Sequence, residues 1–144
     1  MNNDLILRVV VKLLVPFILL FALYVQFHGD FGPGGGFQAG VILASAIILY
    51  ALIFGLDEAR LFVPDWLVEA MMALGVLLYA GVGVAGLLLG GNYLDFFVLD
   101  PDSVQGQHRG IFWVELGVAV TVSGVMLKVF YMFAERSQDV EGEA

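Results

Sequence analysis

Four long apolar blocks, at about residues 5–27, 37–56, 67–89 and 111–133, constrain what this chain can become. Each supplies the ~20 residues that a helix needs to cross a ~30 Å hydrocarbon core. The apolar residues run continuously rather than in short alternating strands, so the blocks read as helices. Overall the chain is 60% hydrophobic, with a mean hydropathy of +0.93, against roughly 45–50% apolar residues in soluble domains. The expected fold is all-α: a polytopic integral membrane protein of one domain, 1–144, with four transmembrane helices and an acidic tail at 134–144. The first block exceeds the ~7–15 apolar residues of a signal peptide and no small-residue cleavage site follows it, so it reads as a retained helix.

Charge orients these helices. With the N-terminus in the cytoplasm, Arg8, Lys12, Arg60, Lys128 and Arg136 fall at or near the inner face and only Arg109 lies outside. That asymmetry agrees with the positive-inside rule and places both termini in the cytoplasm. A net charge of −8 argues against a nucleic-acid partner. There is no cysteine, which excludes disulfides, thiolate metal sites and thiol catalysis.

The connection between the first two blocks is unlike an ordinary linker. It reads His28-Gly-Asp-Phe-Gly-Pro-Gly-Gly-Gly-Phe-Gln-Ala-Gly40. Glycine takes backbone conformations closed to other residues and lets a neighbour approach closely, while Pro33 fixes one φ angle. At a membrane surface such a segment must satisfy its own backbone or sit against protein. Gly36, Gly40 and Ala44 recur every four residues into the second block, a groove for close helix packing. In the first block Pro16 follows Lys12 by one turn and predicts a bend at about 12–16.

Further along, Asp57 to Trp66 forms a short charged link in which Pro64-Asp65 reads as a helix start. Gly81-Val-Gly-Val-Ala-Gly86 fits the dinucleotide pattern GxGxxG only formally, because no strand precedes it and it lies inside an apolar span. Gly81/Ala85 and Gly86/Gly90 read instead as packing notches. The link from Gly90 to Gly110 is the longest, and Phe96-Phe97 within it suggests an interfacial segment.

Ionisable groups inside the spans are the candidate functional residues, since each costs roughly 2.5–3.5 kcal/mol at a helix centre. Lys128 lies near the inner end of its helix and reads as a snorkelling anchor, and Arg8 as a partner of lipid phosphate. Lys12 lies deeper and either snorkels or pairs with an acid on another helix or subunit. Glu115 is solvated or handles protons. His28 and His108 lie near the outer face, where an imidazole suits a proton path. The candidate proton or ion path is therefore His28, Lys12 and Glu115. Two histidines with scattered aspartates do not make a metal site, and no nucleophile or paired-carboxylate array is visible, so neither catalytic residues, metal nor cofactor is expected.

The segment Phe27 to Gly40, with a proline and three glycines opening a transmembrane helix, resembles the signature of the B subunit of Mrp (or Mnh) cation/proton antiporters. The likeness extends over nearly the whole chain. It implies an accessory subunit of a secondary transporter that exchanges Na⁺ for H⁺ across a bacterial or archaeal plasma membrane. The implied partners are the A, C, D, E, F and G types of subunit, with membrane lipid around them. It also marks Pro33, Gly34, Gly35, Gly36, Phe37 and Gly40 as motif and assembly positions. Two other roles fit the same residues: a scaffold that conducts nothing, and a subunit of a redox-driven complex such as a membrane-bound hydrogenase. Neighbouring genes separate the last of these from an antiporter.

Overall fold

A computed structural model describes residues 2–29 and 32–142, with side chains from 5 to 29 and from 32 to 137. Every regular element among the described residues is helical. The helices are α1 (Asn2–His28), α2 (Gly36–Phe54), α3 (Leu56–Phe62), α4 (Asp65–Leu88) and α5 (Ser103–Gly142), with a 3₁₀ turn at Phe96–Leu99 before α5. Four of them, α1, α2, α4 and α5, are long and apolar enough to cross a membrane. The helical residues of α1 run unbroken through Pro16.

Local chemistry sets the boundaries. Gly35 caps the start of α2 at φ 110°, a region costly for any residue with a Cβ. Gly55 closes α2, its N–H donating to the Ala51 carbonyl at 2.9 Å, and α3 begins at once. Asp57 and Glu58 occupy the first turn of α3 and Arg60 its last, the arrangement that its dipole favours. At the end of α4 the N–H of Gly91 donates to Gly86 and that of Gly90 to Leu87, with Gly90 at φ 87°. These paired bonds form a Schellman stop.

Helix α5 is the central strut. It packs along both α4 and α2 and against the 3₁₀ turn, whereas α1 contacts mainly α2. Small residues allow this closeness. A Cβ at Gly40 would lie 2.6 Å from the Ala119 carbonyl, and one at Gly117 would lie 2.9 Å from the Gly75 carbonyl. The groove of Gly36, Gly40 and Ala44 is thus filled by the chain's own α5. At one end of the bundle Ala44, Leu56, Val68, Leu127 and Tyr131 form a buried cluster, and the Tyr131 hydroxyl donates to the Val63 carbonyl at 3.0 Å.

Several expectations are corrected. The Asp57–Trp66 link contains a helix, α3. The helix that holds the fourth apolar block, α5, starts eight residues before position 111 and continues through the acidic segment to Gly142. Glu135 in that extension pairs with Arg60 at 2.9 Å, which favours helix over a loose tail. The outer link is correspondingly shorter, with Phe97 exposed and the Phe96 ring on Gly110. Of the expected notches, Gly86 is closely packed, a Cβ there standing 3.1 Å from the Asn92 carbonyl, whereas Gly81 has nothing within 4 Å; Gly83, against which the Tyr93 ring lies, is a further one. Asp30 and Phe31 of the glycine motif lie outside the described residues.

Candidate functional site

The loop after α1 doubles back over the helix it leaves. The Gly35 N–H donates to the Val25 carbonyl at 3.2 Å, and Gly32 N–H donates to the His28 carbonyl at 3.1 Å. A Cβ on Gly34 would sit 2.7 Å from the Val25 carbonyl, so the chain can turn this tightly only without a side chain there. The His28 ring stacks on Tyr24 at 5.3 Å, one turn earlier, and its other neighbour is Gly32. Pro33 and Phe37 are exposed and Gly34 is half-buried, while Gly35 and Gly36 are buried.

The buried face of the motif meets Glu115 of α5. A Cβ at Gly29 would lie 2.9 Å from Glu115 Oε2, and one at Gly35 would lie 2.9 Å from Glu115 Oε1. At Gly36 a Cβ would run into the Glu115 carbonyl itself. Three glycines, separated by up to seven positions in the chain, therefore close around one residue 79 positions further on. The carboxylate lies at the N-terminal end of α2, where Gly35 offers no capping side chain and the helix dipole favours negative charge.

Beside this seat is a cavity of about 310 Å³. Its polar lining is Gln26, His108, Arg109 and Glu115, and Phe27, Phe112 and Trp113 complete the walls. Phe27 and Phe112 stack on each other at 5.8 Å in its wall. Arg109 pairs with Asp100 at 2.5 Å and is otherwise exposed. Gln26 is only 5% exposed, and neither its amide nitrogen nor its amide oxygen has a hydrogen-bond partner. A smaller cavity of about 90 Å³ touches Gln26 from the other side and reaches Ser123. No group of three or more His, Asp or Glu with metal-ligand proximity occurs among the described residues.

The three residues expected to form an ion path do not converge. His28 and Glu115 both adjoin the glycine loop. Lys12 belongs to the opposite end of the bundle, where its Nζ lies 5.2 Å from the Phe54 ring with Arg8 at 5.6 Å from the same ring. Glu115 is at the start of α2 and Phe54 at its end, a separation of about 27 Å at 1.5 Å per residue. Lys128 is paired with Glu69 of α4 at 2.6 Å rather than merely anchored. Sequence reasoning missed Gln26. The available signal was that it is the sole amide in the first apolar block, two residues before His28.

Residues 6–128 match the family described as a domain related to the MnhB subunit of Na⁺/H⁺ antiporter. Among curated proteins, one named as antiporter subunit mnhB2 of Staphylococcus haemolyticus is 33% identical over 132 residues, 89% of this chain and 92% of its own. The B-type subunit of a Na⁺/H⁺ antiporter from Alkalihalophilus pseudofirmus is 31% identical over 131 residues, 84% of this chain and 90% of its own. A Staphylococcus aureus relative, also named as antiporter subunit mnhB2, is 34% identical over 132 residues, 89% of this chain and 92% of its own.

Proposed function

The chain belongs to the family of domains related to the MnhB subunit of Na⁺/H⁺ antiporters, and from that premise we propose that it is an accessory subunit of a multisubunit antiporter, needed for assembly and contributing to the proton side of exchange. Its partners are then the A, C, D, E, F and G types of subunit, and its setting is a bacterial plasma membrane. Both termini face the cytoplasm in this reading. Arg8, Lys12, Arg60 and Lys128 gather at the end of the bundle that holds Phe54, Asp65 and Glu69, which supports it.

The observation that carries the reading is the seat of Glu115. The Glu115 carboxylate packs closely against Gly29 and Gly35, which brings the motif loop and the central helix together around an ionisable group. A subunit role is further supported by α1, whose membrane window is 11% buried against 33% for α5, leaving a broad apolar face for lipid or protein. The intramembrane charges are too few and too far apart for a complete ion route within this chain.

The test is Na⁺-dependent dissipation of a proton gradient in inverted vesicles. Co-expression with the other subunits should give exchange, and this chain alone should give none. Robust exchange by the isolated chain would refute the subunit reading. Glu115→Gln, assembled at full yield with an unchanged rate and pH profile, would favour a scaffold that conducts nothing.

A further inference from the structure

We propose that Gln26 forms the floor of a water-filled vestibule, from which the Glu115 carboxylate exchanges protons with the medium at the glycine-motif end of the bundle. The proton-exchange half of this proposal rests on the antiporter reading above. The hydration half rests on Gln26 alone. Both polar atoms of its side chain are buried without a partner, and a buried amide left unpaired is strongly disfavoured. Water is the remedy that folded proteins use, provided there is room and polar company. Here both exist: the cavity of about 310 Å³ that Gln26 lines also presents His108, Arg109 and Glu115. The stacked Phe27 and Phe112 rings form part of its wall.

Inward of Gln26 the character changes. The cavity of about 90 Å³ has apolar walls apart from Gln26 and Ser123, and the Ser123 hydroxyl already donates to the Ala119 carbonyl at 2.8 Å. Water is therefore held to the outer side, and Gln26 marks its inner limit. A hydronium in the vestibule gives its proton to the Glu115 carboxylate and remains as water, and the reverse step returns the proton. Among the described residues, the charged and titratable groups near Glu115 are His108 and Arg109 on its own helix, with Asp100 bound to Arg109, and His28, whose ring lies against Gly32 of the same glycine loop. Helix α2 brings no charge. Gln26 is a positioning residue in this scheme: it holds the water that serves Glu115.

The chain has no cysteine, so a single introduced thiol reports its own surroundings. Gln26→Cys and Leu127→Cys would be compared in membranes carrying the whole complex, using a small water-soluble methanethiosulfonate. Leu127 is fully buried in the apolar cluster and serves as the dry reference. The thiol at 26 should react at least tenfold faster, and reaction no faster than at 127 would overturn the vestibule. Gln26→Leu removes the amide at similar volume, and Gln26→Glu keeps a polar group. At matched complex levels the first should lower antiport about tenfold and shift its pH profile, and the second should retain most of it. Wild-type exchange with an unchanged pH profile in the leucine variant would overturn the proton role. A wild-type complex that exchanges no Na⁺ for H⁺ would remove the antiporter reading and the proton half together, while labelling would still decide hydration.

Discussion

Glycines at 35, 36 and 81 look alike in the sequence, yet their surroundings predict different outcomes. At Gly36 a single Cβ meets the Glu115 carbonyl, so Gly36→Ala should already loosen the contact between α2 and α5. Gly35→Val must adopt φ 110°, at a cost of about 1–3 kcal/mol in strain, besides meeting the Glu115 carboxylate. Both variants should lower recovery of the other subunits with a tagged chain. Gly81→Ala has open space around it and should leave recovery and thermal stability unchanged or slightly higher. Lys12 and Glu115 separate in the same way. Glu115→Gln should shift the pH profile of antiport, whereas Lys12→Ala, at the other end of α2, should keep it. Vesicle assays at equal complex levels would show the difference.

Helix α5 carries contacts to almost every other element, so damage to its seams should spread. Its contact with α4 depends on Gly75, Gly117 and Gly124, where backbones approach too closely for side chains. A Cβ at Gly75 would strike the Thr121 hydroxyl, which itself donates to the Gly117 carbonyl at 2.9 Å. At the end of the bundle that holds the buried Ala44–Tyr131 cluster, Tyr131 is 1% exposed and its hydroxyl donates to the Val63 carbonyl between α3 and α4. Tyr131→Phe leaves that carbonyl unpaired and should cost about 1–3 kcal/mol. Thermal unfolding of the purified protein in detergent would register this as a lowered midpoint, with the helical content at low temperature unchanged.

The bundle as a whole presents two chemically distinct ends. One combines Arg8, Lys12 and the ion pairs Arg60–Asp65, Arg60–Glu135 and Lys128–Glu69. The other combines the glycine loop, the 3₁₀ turn and the Arg109–Asp100 pair. The cytoplasmic assignment of the first end can be read directly with single cysteines. A membrane-impermeant thiol reagent should label Asp102→Cys in intact cells and Asp57→Cys only after permeabilisation. The opposite pattern would invert the topology.

The number of spans and the helical class were legible in composition and block length, because lipid tolerates few alternatives to a closed helix. The glycine motif was legible too, since proline and three glycines at a helix start leave little choice of backbone. Boundaries at polar segments were not. The acidic stretch after Phe133 has no apolar period to mark it as helix, and its continuation is accompanied by the pairing of Glu135 with Arg60, 75 positions away. Nor could a linear reading join Glu115 to Gly29 and Gly35, or leave the Gln26 amide unpartnered beside a cavity. Hydropathy records how well each residue suits lipid, one at a time. Which carboxylate fills which glycine hollow depends on how α5 lies along α2, and that comes from the packing of all four long helices together.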